Sequence, residues 1–258
     1  MSTHPILARM PIGRLVFPLL MGVAILLTWE FCVAWMEVPS YILSKPSVIG
    51  QRIVQDFSSG EVIPHLITTF VEVLSGIAIA AFLGLALGTL IGMFSIVDKT
   101  LYPIILVIQT IPKVAVAPLM IIWLGYGMSS KIVTAALLAF FPVLVNVVAG
   151  IKTVDTRRIT LMRMLCASPL QTYLKVRLPN MLTFLFAGLE VAVVLALIGA
   201  IVGEFVGASV GLGSLIIQRQ AQVDVSGVFS ILAYLSVMGL LLTLTVKLIG
   251  RKVVFWNN

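Results

Sequence analysis

Charge is what this sequence has least of. Asp, Glu, Lys and Arg make up 10% of its 258 residues, against about 25% in an ordinary soluble domain. A soluble fold of this size needs polar cover, whereas a surface that faces lipid does not. Histidine and cysteine are also scarce. The only histidines, His4 and His65, fall outside the apolar runs, which argues against a histidine-dependent protease inside a membrane. Cys32 and Cys166 have no second Cys or His at metal-ligand spacing. No G-x-x-x-x-G-K-[ST] loop occurs, so the chain is not its own ATPase by that mechanism. H-E-x-x-H is not found, and no catalytic set takes its place.

Apolar residues fill the gap: 60% of the chain is hydrophobic and the mean hydropathy is +1.15. At about 20 residues per span, the length suits one all-α membrane bundle of five or six helices. The apolar runs predict six spans, at about Leu15–Trp35, Thr68–Phe94, Leu101–Leu124, Ile132–Ile151, Met181–Val206 and Val228–Ile249. The first run is too long for a signal-peptide core and lacks a small-residue cleavage site, so it reads as a retained span. Residues 1–14 then form an N-terminal segment, 15–252 the membrane domain, with a polar loop at 152–180, and 253–258 a tail.

The cations set the orientation. With the N-terminus inside, Arg9, Arg14, Lys99, Lys152, Arg157, Arg158, Arg163, Lys175, Arg177, Lys247, Arg251 and Lys252 are cytoplasmic. Lys45, Arg52, Lys131 and Arg219 are outside, and Lys113 is within a span. Twelve against four fits both termini in the cytoplasm. The net charge of +7 is thus topological rather than a nucleic-acid patch. Cys32 and Cys166 fall on opposite faces, which argues against a disulfide.

Several local features carry mechanical information. Pro46 followed by helical spacing at Val48, Ile49, Ile53, Val54 and Phe57 predicts an interfacial amphipathic helix. Gly84, Gly88 and Gly92 in the second span, and Gly199, Gly203 and Gly207 in the fifth, leave bare helix faces for close packing. The third span holds Pro103, Pro112 and Pro118, and a kinked span needs neighbouring protein or a wet cavity to satisfy its freed carbonyls. Short turns are expected at Ser95–Thr100 and Gly125–Ser130. A glycine-rich loop, Gly207–Gly213, leads to a short helix, Ser214–Val223.

Polar groups at membrane depth are candidate path residues. Lys113, beside Pro112, either attracts an anionic solute or pairs with Glu190 or Glu72. Glu204 either belongs to an outer gate or caps backbone or pairs with Arg219. Glu190 favours a structural pair. Gln109, Asn146 and Trp123 either line a cavity or bond between helices.

The loop 152–180 reads KTVDTRRITLMRMLCASPLQTYLKVRLPN. Its helix formers and its apolar residues, Leu161, Met162, Leu165 and Leu170 among them, suit short helices that dock in a groove of a soluble partner. The segment resembles the signature loop of binding-protein-dependent importer permeases: Glu-Ala-Ala, three residues, Gly, nine residues, Ile-x-Leu-Pro. Val176, Leu178 and Pro179 match its end, and Ala167 and Ser168 follow its Gly position. Thr160 stands at the Glu and Cys166 at the Gly, so the beginning departs; Arg158 and Arg163 are left to supply polar contacts. The stretches IPKVAVAPLMIIWLGYG, FFPVLVNVVAGIKTVD and FAGLEVAVVLALIGAIVGEFVGASVGLGSLI are similar to the nitrate, sulfonate and taurine branch.

That resemblance implies a type I importer permease fold of six helices in a bacterial inner membrane. It implies a homodimer docked through Thr160, Arg163, Cys166, Ala167, Ser168, Leu178 and Pro179 to two ATPase subunits. Those subunits would bind ATP and Mg, leaving no cofactor in this chain. It also implies an extracytoplasmic binding protein and a small solute, anionic or heterocyclic/aromatic. The competing reading is an ion-coupled secondary transporter, kept open by Lys113, Glu190 and Glu204.

Overall fold

The computed structural model describes residues 12–257, and they are helical nearly throughout. Arg9 and most of the expected cytoplasmic segment 1–14 lie outside the described residues. Helix α1 (Ile12–Trp35) is largely apolar, and only 6% of its Val16–Trp35 span is buried. It is held at its far end, where Glu30 accepts bonds from the amide (3.0 Å) and hydroxyl (2.7 Å) of Ser47. Trp29 meets Phe229 there at 5.5 Å. The residue that interrupts the first apolar run thus caps α2 (Pro46–Ser58), the amphipathic helix that Pro46 opens.

Helices α3 (Val62–Met93), α6 (Met128–Lys152) and α9 (Leu178–Gly207) form the core, with α6 in the middle. α3 begins six residues earlier than the apolar run suggested and takes in His65. A Cβ on Gly84 or Gly88 would lie 2.7 Å from Val143 or Val147 of α6, and one on Gly92 2.8 Å from Ile151. From the other side, a Cβ on Gly199 would lie 2.7 Å from the Ala135 backbone, and one on Gly203 or Gly207 would lie 3.1 or 2.5 Å from the Lys131 or Tyr126 side chain. Each of these glycines thus receives a neighbouring side chain or backbone and leaves no room for a side chain of its own.

The third span is not a straight helix. α4 (Ser95–Gln109) follows α3 after a single residue, Phe94, so the turn expected at Ser95–Thr100 is helical. Pro103 is absorbed within α4. The chain breaks at Thr110–Pro112, passes through a 3-10 turn at Lys113–Val116, and resumes as α5 (Ala117–Leu124) after an 84° bend. Eight residues rise about 12 Å, too little to cross a membrane alone. Among the described residues five helices are long and apolar enough to span, or six if the bent pair counts as one.

Residues 152–180 form two short helices, α7 (Thr156–Met164) and α8 (Pro169–Thr172). α8 runs through a π turn, Tyr173–Arg177, directly into α9. Beyond α9 the loop leads into α10 (Leu212–Ala221) and then α11 (Val225–Val253). Cys32 and Cys166 are both free and exposed.

Candidate coupling loop and translocation path

The α7–α8 loop is a rigid corner built by three local devices. The Asp155 side chain caps α7 by accepting the Arg157 amide at 2.9 Å. At the far end the Ala167 amide bonds the Met162 carbonyl and the Cys166 amide the Arg163 carbonyl, each at 3.0 Å. That is a Schellman closure, and it puts Cys166 in the left-handed region at φ 52°. Glycine is the residue this position prefers, which explains in backbone terms why the signature has Gly where this chain has Cys. Ser168 then opens α8 through a reciprocal capping box with Gln171.

The corner's outer surface is apolar. Leu161, Met164, Leu165 and Leu170 are 56%, 77%, 67% and 65% exposed. Thr160, Arg163, Cys166 and Ser168 are exposed beside them, whereas Ala167 turns into a small hollow with Met93, Pro169 and Arg177. Leu178 and Pro179 are half-buried at the start of α9, so they position the corner rather than form its tip. Asn180 ties that start to the end of α6 by donating to the Gly150 carbonyl at 2.6 Å.

The candidate path residues do not form one site. Gln109 and Lys113 meet at the break: the Lys113 ammonium donates to the Gln109 carbonyl at 2.8 Å and lies 4.4 Å over the Phe141 ring. A cation thereby satisfies a carbonyl that the broken helix leaves free. The pairing of Lys113 with Glu190 or Glu72 is not formed, since no carboxylate among the described residues is within ion-pair distance. Asn146 donates to the Pro142 carbonyl at 2.8 Å and packs on Gly188. Trp123 is 68% exposed. Glu190 faces a groove between α9 and α11 without a bond among the described residues.

Glu204 sits in a closed polar node at the opposite end of the bundle and is 1% exposed. One oxygen accepts the Thr69 hydroxyl at 2.6 Å and the other the Gly213 amide. Thr69 in turn accepts the Leu212 amide at 2.8 Å, and His65 Nδ1 lies against the Gly211 backbone. Glu72 lies beside Glu204, fully buried, and neither of its oxygens takes an N–H or O–H donor among the described residues. Lys131, placed outside by the charge count, is 5% exposed; it donates to the carbonyls of Tyr126 and Gly127. The loop Gly207–Gly213 is therefore wrapped around one carboxylate, and Gly211, at φ 134°, has room for no side chain against it.

Arg219 does not pair with Glu204. It reaches Asp56 (3.3 Å), Glu61 (2.9 Å) and Asp224 (3.1 Å), joining α2, the start of α3, α10 and α11. Arg52 adds further pairs to Asp56 and Asp224, each at 3.0 Å. Sequence reading missed this network and the roles of His65, Thr69 and Lys131. The one available signal was Asp56 on the predicted amphipathic helix, an acid at a position that faces the bundle.

Comparison with known proteins agrees with the geometry. Residues 82–255 match the family described as binding-protein-dependent transport system inner membrane component. The formylaminopyrimidine transport permease of Halalkalibacterium halodurans is 33% identical, over 93% of this chain and 96% of its own length. A putative aliphatic sulfonates transport permease of Bacillus subtilis is 32% identical, over 93% and 87%. The MetNI methionine ABC transporter in an inward-facing form shares the fold at TM-score 0.59 and 20% identity, over 74% of this chain and 95% of that one. Taurine and nitrate permeases are relatives too. Nothing in these likenesses favours an ion-coupled transporter. This chain belongs to the binding-protein-dependent transport system inner membrane components: it is a permease subunit of an ABC importer, of the branch that holds the nitrate, sulfonate and taurine permeases.

Proposed function

We propose that this chain forms the translocation path of an ATP-driven importer as a pair of identical subunits. Two ATPase subunits dock on the α7–α8 corners, and a binding protein delivers solute at the face that carries the Glu204 node. Both termini are cytoplasmic, and ATP and Mg bind only in the ATPase subunits. The observation that carries the reading is the corner itself: four large apolar side chains held outward by a cap, a Schellman closure and a capping box. A solvated loop has no use for that arrangement, whereas a groove in a soluble partner does.

The solute we assign is a small organic anion or a heterocyclic or aromatic compound, in keeping with the relatives' named substrates. Lys113, half-buried at the broken span, is the cation best placed to meet it. ATP-driven exchange between two packings of the bundle then opens the path to one side or the other.

The test is co-purification in mild detergent. Wild-type chain is expected to bring down a soluble ATPase, and Leu165→Asp to lose it while remaining folded. Equal recovery by the variant, or no ATPase from wild type, overturns the docking assignment. Lys113→Ala is expected to lower uptake at least tenfold with the complex intact; unchanged uptake removes Lys113 from the path.

A further inference from the structure

A groove of about 660 Å³ runs between α9 and α11, on a side of the bundle away from α6. The helices are antiparallel, with Phe186 against Gly250 and Leu197 against Gly239. The walls are apolar, and Val191 and Val194 are each 50% exposed, so the groove opens sideways. At the end nearest the α7–α8 corner stand Lys247 and Arg251, one turn apart on one face of α11. Thr183 is shared with a second hollow of about 230 Å³, lined by Arg158, Lys175 and Trp256.

These four cations have no carboxylate within 4 Å among the described residues. Glu190 is the one acid in the wall, four residues beyond Phe186 and so at the level of Lys247. Four cations against one carboxylate leave a surplus of three positive charges. An apolar slot with a basic mouth and a tryptophan at the rim matches an acyl chain below a phosphate head group.

We propose that this groove retains one anionic phospholipid per chain. Its phosphate sits among Lys247, Arg251, Arg158 and Lys175, and one acyl chain lies along Phe186, Val191 and Val194. A helix from a second copy is the poorer occupant. Among the described residues no helix carries two acidic residues within two turns, so none brings paired negative charge to the basic mouth.

The test is native mass spectrometry of the full chain in mild detergent, with phosphatidylglycerol, phosphatidylethanolamine or phosphatidylcholine added at equal concentration. One phosphatidylglycerol per chain is expected, retained at least tenfold over phosphatidylcholine. The double variant Lys247→Ala/Arg251→Ala loses that excess with its lipid-free unfolding midpoint unchanged. Lys247→Arg keeps the excess, as does Lys99→Ala, a cation elsewhere at the same end. Equal retention of the three lipids, a preference for phosphatidylethanolamine, or an undiminished double variant overturns the proposal. So does disulfide cross-linking of two copies through Val194→Cys.

Discussion

The two ends of the bundle treat charge in opposite ways. At the Glu204 end most ionic groups are used within the chain, Glu72 being an exception. Arg219 and Arg52 bind Asp56, Glu61 and Asp224, while Lys131 and Glu204 close loops onto the helices. At the corner end, Lys152 pairs with Asp98, but Arg157, Arg158, Arg163, Lys175, Lys247 and Arg251 have no acidic partner among the described residues. Apolar side chains follow the same division. The end that closes on itself buries Leu212, Leu215 and Ile216, and the end that does not presents Met164, Leu165 and Leu170. One end spends its polar groups on shape, and the other keeps them for partners.

Four substitutions test that contrast. The largest effect is expected from Arg219→Ala. It strands Asp56, 2% exposed, without one of its two cations. Breaking a buried ion pair costs about 3–5 kcal/mol. Thermal unfolding in detergent should show a large loss of stability, whereas Arg163→Ala at the corner should change it by less than about 0.5 kcal/mol. Equal effects at both ends would erase the distinction. Thr69→Val comes next. It takes the donor from Glu204 and the acceptor from the Leu212 amide, both buried, at about 1–3 kcal/mol for a polar group left unsatisfied. Amide exchange at Leu212 should rise; unchanged protection would mean that the hydroxyl does not hold the loop.

The smallest effect has the opposite sign. A non-glycine residue in the left-handed region costs about 1–2 kcal/mol. Cys166→Gly should therefore stabilise the corner by about 1 kcal/mol, less the extra freedom glycine has when unfolded. Differential exchange across residues 156–172 reads it, and a loosened corner in the variant would contradict the backbone account.

The sequence made some of this legible and hid the rest for a physical reason. The spans, the Pro46 helix and the glycine faces are periodic features of a single helix, and Pro46 and Gly84 act through their immediate backbone. The importer resemblance rested on the corner, whose closure is also local, and on three further stretches, Ile111–Gly127, Phe140–Asp155 and Phe186–Ile216. The position of the break in the third span was not readable, because three prolines competed and only Pro112 lies at it. Partners far apart in the chain were hidden as well. Thr69 and Glu204 are separated by 135 residues, and Arg219 and Asp56 by 163. Nothing in either neighbourhood names the other, and Glu204 with Arg219 was the plausible wrong pair.

The bare faces on either side of α6 have a mechanical consequence. Side chains between helices act as cushions, because a change of rotamer absorbs a displacement. Where Gly84 and Gly88 receive Val143 and Val147, and Gly199 the Ala135 backbone, each contact holds at most one β-branched side chain, which is stiff and gives little cushion to compress. The 25 residues of α6 span about 38 Å and lead at one end into the corner. Treated as a stiff lever, a tilt of about 5° imposed at the corner displaces the opposite end by about 3 Å, which is the width of a hydrogen bond. In that sense the glycines set the gear ratio of the subunit.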